Sequence, residues 1–241
     1  MKTVIYDLKR NGKIIGAFCI FAFAAIAQFW RRDLSTYSIS TLNYYFFWAC
    51  YVGLVIIITN LHIEDFRYGT IKELYVRTGD AWKILLRRLL SALCVAGIFY
   101  VPAIINQMIT IQKLTNINPS LNERAYGLEL LIIYIGSAAF LSAYVALIAY
   151  SVKSYKKAYF IAVLPLIIID YLLPVIFYQG KLDENGFFGA ASRILRITPN
   201  GIIKVWAETQ RVSSMEALLL LAYIAVLYAI TWAVQRRRDC I

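Results

Sequence analysis

Six long apolar runs dominate the pattern of hydrophobic and polar positions along the chain, and shorter polar stretches separate them. A helix needs roughly 20 apolar residues to cross a bilayer, because lipid offers no partners to exposed backbone groups. The pattern therefore predicts six spanning helices, over residues 14–30, 41–61, 91–111, 127–151, 158–177 and 215–234. Because no repeat or linker divides the chain, we expect an all-α membrane protein in which residues 1–241 form a single transmembrane domain.

Composition supports the same class of protein. Hydrophobic residues make up 61% of the chain, charged residues 16%, and the mean hydropathy is +0.63, which is too apolar for a soluble domain. The first apolar run is short, and its end, AAIAQ, resembles a signal-peptidase site after Ala27. A cleaved signal peptide is therefore the alternative interpretation of this run.

The distribution of Lys and Arg predicts the orientation, since positive charge is retained on the cytoplasmic side of a membrane. The N-terminus, residues 62–90, the loop at 152–157 and the C-terminal tail hold 16 of the 25 Lys and Arg residues, so both termini are expected to be cytoplasmic. This topology and anionic lipid head groups account for the net charge of +11. No base-reading motif accompanies the charge, so we expect membrane lipids and no nucleic acid as partners.

Motifs for bond chemistry are absent from the sequence. It contains no Gly-x-x-x-x-Gly-Lys-Ser/Thr phosphate loop, no His-Glu-x-x-His and no Gly-x-Ser-x-Gly. The four cysteines lack Cys-x-x-Cys spacing and His62 is the only histidine, so no metal site is expected. We predict that the chain is not an enzyme and has no catalytic residues, and that His62 marks a helix leaving the bilayer.

Polar residues inside the apolar runs are expensive to place in a membrane and deserve an explanation. Asp170 lies in the fifth run between Pro165 and Pro174, each of which removes a backbone donor and releases carbonyls nearby. We expect Asp170 to make a structural hydrogen bond with a nearby Tyr or Ser; proton coupling and substrate contact are the alternatives. Asn106 and Gln107 in the third run are expected to join helices.

The polar stretch at 62–90 shows helical periodicity. Five apolar residues recur on one face of a helix, which predicts an amphipathic helix at the membrane surface: Ile63, Phe66, Ile71, Leu74 and Tyr75. Gly79 ends this helix, and an apolar face resumes from Trp82 onward beside Lys83 and Arg87, which can extend to the lipid surface. From periodicity alone, a connector lying on the membrane is the alternative to a functional helix.

The start of this stretch, Glu-Asp-Phe-Arg-Tyr-Gly-Thr-Ile at 64–71, resembles the acidic-x-x-x-x-Gly-Thr signature of ABC type 2 exporter permeases. In that family the segment is the coupling helix, which docks into a cleft of the ATP-binding subunit. The resemblance implies that role for six residues: Glu64, Asp65, Phe66, Arg67, Gly69 and Thr70. The chain departs from the family further on, where Arg77-Thr78-Gly79-Asp80 replaces a Pro-x-Ser-Arg turn and Arg87-Arg88 replaces Gly-Lys.

The segment between the fifth and sixth runs agrees with the same family. Two apolar-rich stretches, 187–197 and 201–208, are separated by Thr198-Pro199-Asn200, a helix-break-helix pattern. The resemblance implies two short re-entrant helices that close the outer mouth, involving Phe187, Phe188, Pro199 and Trp206. The alternative is a pair of helices lying in the outer leaflet with Trp206 as an anchor.

Taken as a whole, the resemblance implies the permease subunit of an ABC exporter in a bacterial-type plasma membrane, similar to the peptide-export and antibiotic-resistance branch. A hydrophobic or amphipathic substrate would cross between this chain and a second permease copy or paralogue. ATP and Mg²⁺ would be bound by a separate ATP-binding subunit, with no cofactor in this chain. A proton-coupled secondary transporter that uses Asp170, and a non-transporting scaffold or receptor subunit, are the alternatives.

Overall fold

A computed structural model describes residues 2–30, 39–67, 81–117, 127–152 and 154–239. Within these ranges the chain forms eight helices and no strand: α1 Lys2–Trp30, α2 Ile39–Arg67, α3 Ala81–Ile117, α4 Gly127–Ser151, α5 Tyr155–Leu182, α6 Phe187–Arg196, α7 Pro199–Thr209 and α8 Ser214–Asp239. The predicted all-α fold is confirmed, including two short helices between the fifth and sixth long ones.

Six of the helices are long and apolar enough to span a membrane. The candidate spans are Val4–Ala27, Thr41–Glu64, Trp82–Leu114, Gly127–Ser151, Tyr155–Leu182 and Ser214–Arg236. Each exceeds the roughly 20 residues that the hydrocarbon core requires. The first starts earlier than the predicted 14–30 and includes the polar residues Asp7 and Asn11, which are both buried. The chain is a multi-pass membrane protein.

The long helices alternate in direction, so the starts of α1, α3 and α5 lie at the same end of the bundle as the ends of α2, α4 and α8. Contacts between Arg10 and Glu64, and between Asp7 and Arg88, connect α1, α2 and α3 at this end. We call it the terminal end, since the start of α1 and the end of α8 belong to it. The opposite end, which contains α6 and α7, is called the far end.

Helix α2 is the centre of the bundle, in contact with α1, α3, α4, α5 and α7. Within an 18-residue apolar stretch of its candidate span 78% of the residues are buried, against 22% in the corresponding stretches of α1 and α5 and 17% in that of α8, so the latter three form the outside. Gly53 allows α1 to approach closely, because a Cβ there would lie 2.8 Å from the Phe18 ring. The outer helices therefore pack around one buried helix.

The structure describes only the two ends of the stretch at 62–90, so the predicted surface helix stays a prediction. Helix α2 continues through Arg67 without a break, and His62 and Ile63 are each only 3% exposed. His62 is held inside the bundle by a hydrogen bond with Ser142, two residues before the end of the second candidate span, so its place at the exit of a helix from the bilayer stays a prediction. Residues 68–80, which include most of the predicted amphipathic helix, lie outside the described part of the chain.

Candidate functional site

The first residue of the predicted coupling segment is placed at the terminal end. The Glu64 carboxylate lies 2.6 Å from the Arg10 guanidinium, and their side chains are 22% and 29% exposed. The next three residues, Asp65, Phe66 and Arg67, form the last turn of α2, whereas Gly69 and Thr70 lie outside the described residues. The ion pair therefore connects the end of α2 to the start of α1 at a partly open surface.

A cavity of about 390 Å³ opens beside Glu64, between α2 and α5. Its lining combines apolar and aromatic walls with one carboxylate and one ammonium group: Asn60, Ile63, Glu64, Tyr155, Lys156, Tyr159 and Phe160. Grooves that accept an amphipathic helix have this character, with apolar walls and charged edges.

A buried ion pair lies deeper at the same end. Arg88 of α3 donates to the Asp7 carboxylate at 2.8 Å, and the Ser91 hydroxyl donates to the same oxygen at 3.0 Å. Asp7 and Arg88 are 2% and 3% exposed. Because an isolated buried charge is costly, each residue depends on the other, and together they fasten α1 to α3. Sequence reasoning missed this pair, although Asp7 is the only acidic residue before Asp33.

A cluster of two hydroxyl groups and one imidazole connects α2, α4 and α8. The Tyr228 hydroxyl of α8 donates to the Ser142 hydroxyl oxygen at 2.9 Å, and Ser142 lies 3.0 Å from His62 Nε2. Since Tyr228 donates to Ser142, the Ser142 proton is available to the imidazole nitrogen. All three side chains are buried, so the cluster holds α2, α4 and α8 together.

The deepest charged group predicted from the sequence, Asp170, is paired with a lysine. The Lys204 ammonium of α7 lies 3.1 Å from Asp170 Oδ1 and donates to the Asp170 backbone oxygen at 3.2 Å. It also lies over the Tyr44 ring, 4.5 Å from the centroid. The side chains of Lys204 and Asp170 are 2% and 13% exposed. Burial lowers the pKa of Lys204, while the Asp170 carboxylate acts in the opposite direction.

The prolines of α5 explain why the backbone carbonyl of Asp170 has no hydrogen-bond donor within its own helix. Pro174 has no N–H, so the carbonyl of Asp170, four residues earlier, has no helical donor, and Lys204 takes that place. Pro165 releases the carbonyl of Ile161 in the same way, and the Tyr144 hydroxyl of α4 donates to it at 3.3 Å. The released carbonyls expected from the sequence are present, but the partner of Asp170 is Lys204 and not the expected Tyr or Ser.

Helix α7 is inserted among the long helices. Thr198 caps its start by accepting from the Gly201 amide at 3.3 Å, and Pro199 occupies the first turn. At its other end the Trp206 indole donates to the Glu216 carboxylate of α8 at 2.7 Å. Trp206 is 1% exposed, so it is a core residue and not the interfacial anchor of the alternative interpretation. Helix α7 is thus packed inside the protein, and its re-entry into the membrane stays a prediction.

Helix α6 is different, because it lies on the surface of the far end. Phe187 and Phe188 are 78% and 41% exposed, and only Gly189 and Ser192 of this helix are buried. Whether α6 is interfacial or re-entrant stays a prediction. The two short helices, expected to behave alike, have different environments.

The remaining predicted polar residues, Asn106 and Gln107, are buried side chains of α3. Asn106 Nδ2 donates to Asn43 Oδ1 at 3.2 Å, so this side chain connects two helices. Gln107 is 1% exposed, and its Nε2 has no hydrogen-bond partner within the described residues. Among those same residues no group of His, Cys, Asp and Glu could hold a metal ion.

In comparisons with known proteins, no family model and no curated protein matches the chain. The class that the fold defines is therefore a helical multi-pass membrane protein with six candidate spans.

Proposed function

We propose that the chain is the membrane-spanning permease subunit of an ABC exporter that moves a hydrophobic or amphipathic substrate, with amphipathic peptides among the candidate cargoes. One observation carries the proposal: the segment that resembles a coupling helix begins in the last turn of α2, the central and most buried helix of the bundle. A force applied to that segment acts directly on the core of the protein.

The packing of α2 supports this role. It is a continuous helix from Ile39 to Arg67 and contacts five other helices, so a displacement at its terminal end reaches most of the bundle. Arg10 extends the same movement to α1 through Glu64. Rigid-body tilting of such a connected bundle is a common way for one site to switch the access of another.

The proposal includes partners and an orientation. A separate ATP-binding subunit would hold ATP and Mg²⁺ and would contact Glu64, Asp65, Phe66, Arg67, Gly69 and Thr70. A second permease copy or paralogue would complete the pathway in a bacterial-type plasma membrane. The terminal end would face the cytoplasm, in agreement with the excess of Lys and Arg in the segments that belong to it.

The test is purification of the tagged chain from its native membranes, followed by measurement of ATP hydrolysis. An ATP-binding protein should co-purify, and Glu64→Lys should reduce ATP hydrolysis in the complex severalfold while the chain still inserts. Arg10→Gln removes the same exposed ion pair, worth at most about 1 kcal/mol, but leaves the Glu64 carboxylate in place. It should retain most of the activity.

Glu129→Lys makes the same charge change at the start of α4, at the far end, and is the matched control. Absence of an ATP-binding protein, or equal losses in Glu64→Lys and Glu129→Lys, would contradict the proposal.

The Asp170–Lys204 pair favours one second candidate, a proton-coupled transporter, because a membrane-embedded carboxylate paired with a lysine can exchange a proton. Transport that continues in ATP-depleted vesicles and stops when a protonophore is added would favour this candidate over the ABC exporter.

A further inference from the structure

A second cavity lies at the far end, between the end of α5 and α6. Its volume is about 220 Å³, and its lining is rich in basic side chains and glycines: Gly180, Lys181, Glu184, Gly189, Ser192, Arg193 and Arg196. Gly180 and Lys181 belong to the last turn of the fifth candidate span, and the coupling segment does not contribute to the cavity.

Close backbone packing forms the wall of this cavity. A Cβ on Gly180 would lie 2.5 Å from the Ser192 Cβ, and a Cβ on Gly189 would meet the Glu184 carbonyl oxygen. The first turns of α6 therefore rest directly on the end of α5 and the residues that follow it, and this close packing holds the two sides of the cavity together.

The charge of the cavity favours an anion. Three cationic side chains line it together with the carboxylate of Glu184, and the Glu208 carboxylate of α7 also interacts electrostatically with Lys181 and Arg196. Within the part of the chain that the structure describes, Lys181, Arg193 and Arg196 form no ion pair. The Arg196 guanidinium is held over the Phe177 ring, 5.5 Å from its centroid. Guanidinium groups bind phosphate oxygens with two parallel hydrogen bonds, so phosphate is the anion that two arginines suit best.

The surroundings of the cavity are apolar. Phe187, Ile194 and Ile197 are 78%, 64% and 56% exposed and fall on one side of α6, beside Arg193. Leu182 at the end of α5 is 68% exposed. In a membrane protein such a surface helix places its apolar side in the acyl chains and its basic side at the level of the head groups. A ligand that satisfies both features carries a phosphate and hydrocarbon chains.

We propose that this cavity binds the phosphate of an anionic phospholipid in the leaflet at the far end, with Arg193 and Arg196 as the main phosphate ligands and Lys181 at the edge. The site does not rest on the proposed exporter function. Glu184 opposes the bound anion and limits its affinity.

Native mass spectrometry of the full chain, released from detergent with added phosphatidylglycerol or phosphatidylcholine, tests the site. The wild-type protein should retain phosphatidylglycerol in preference to phosphatidylcholine. Each basic side chain near a membrane surface contributes roughly fivefold to anionic lipid binding, so the double variant R193Q/R196Q should bind phosphatidylglycerol about 25-fold more weakly. Glu184→Gln should bind it more tightly, a gain that a merely structural role would not produce. Arg211→Gln removes an exposed far-end charge outside the cavity and should leave binding unchanged.

Further measurements distinguish lipid binding from binding of a soluble anion, and loss of the binding site from misfolding of the variant. Inorganic phosphate at millimolar concentration should not displace the lipid, because it lacks the acyl chains. R193K/R196K keeps both charges and should retain most of the preference, which preserves the test if the glutamine variant fails to fold. Equal binding of the two lipids by the wild-type protein, unchanged binding in R193Q/R196Q, weaker binding in Glu184→Gln, or displacement by inorganic phosphate would each overturn the proposal.

Discussion

Replacement of Lys204 by Met should destabilise the protein and release α7 from the bundle. The change keeps a long unbranched side chain but removes the ammonium group that contacts both the carboxylate and the backbone carbonyl of Asp170. The Lys204 side chain is only 2% exposed, so water does not replace the lost contacts at that position.

The expected magnitude follows from the cost of a buried charge without a partner. Removal of one member of a buried ion pair costs about 3–5 kcal/mol. We expect about 3 kcal/mol, because the Asp170 side chain keeps 13% exposure. For a protein of this size each kcal/mol lowers the Tm by about 2–4 °C, which gives a decrease of about 6–12 °C.

Second substitutions test whether the loss of stability comes from the unpaired charge of Asp170 and from its unbonded backbone carbonyl. The double variant Lys204→Met/Asp170→Leu contains no unpaired buried charge, so most of the stability should return. The released backbone carbonyl at position 170 still lacks a donor, which should cost about 1 kcal/mol. Adding Pro174→Ala restores the backbone N–H four residues later and should recover that remainder. Pro165→Ala acts on a different carbonyl and is the control.

Thermal unfolding in lipid nanodiscs measures the stability, and hydrogen exchange of residues 199–209 measures the attachment of α7. In Lys204→Met, exchange in this segment should accelerate more than exchange in α4. A wild-type Tm in Lys204→Met, or equal rescue by Pro174→Ala and Pro165→Ala, would refute the reasoning.

Three further predictions concern other parts of the bundle. Tyr144→Phe removes the hydroxyl that bonds a proline-released carbonyl of α5 and should cost about 1 kcal/mol in thermal unfolding, whereas a loss above about 3 kcal/mol would contradict it. Arg88→Met should cost about 3–5 kcal/mol, with recovery in Arg88→Met/Asp7→Leu, and a fully stable single variant would show that the pair is not needed. In a cysteine-free background, an impermeant thiol reagent on intact cells should label a cysteine at Asn185 and spare one at Lys156; the reverse result would invert the proposed topology.

Local spacing accounts for the features that the sequence predicts well. Long apolar runs are sufficient for spanning helices, since the length that a bilayer requires does not depend on tertiary contacts. The released carbonyl near Asp170 follows from Pro174 alone, because a proline always affects the residue four positions earlier. The break at Thr198-Pro199-Asn200 likewise separates α6 from α7 in the structure.

Contacts between distant segments account for what sequence reasoning missed. Lys204 lies 34 residues beyond Asp170, in a segment interpreted as external, and only its position between Ile203 and Val205 hints at burial. Asp7 and Arg88 are 81 residues apart, so neither reveals the other by spacing. How deeply α7 inserts is decided by its packing against α2, α4, α5 and α8, which no local pattern encodes.

The most direct test of the proposed coupling role is photo-cross-linking from single positions of the chain in its native membranes. A photoreactive amino acid at Glu64 or Thr70 should form a covalent adduct with an ATP-binding protein, and the yield should change when ATP is added. The same amino acid at Asn185, at the far end, should form none. Absence of an adduct at both Glu64 and Thr70, or an equal yield at Asn185, would contradict the assignment of this chain as the permease of an ABC exporter.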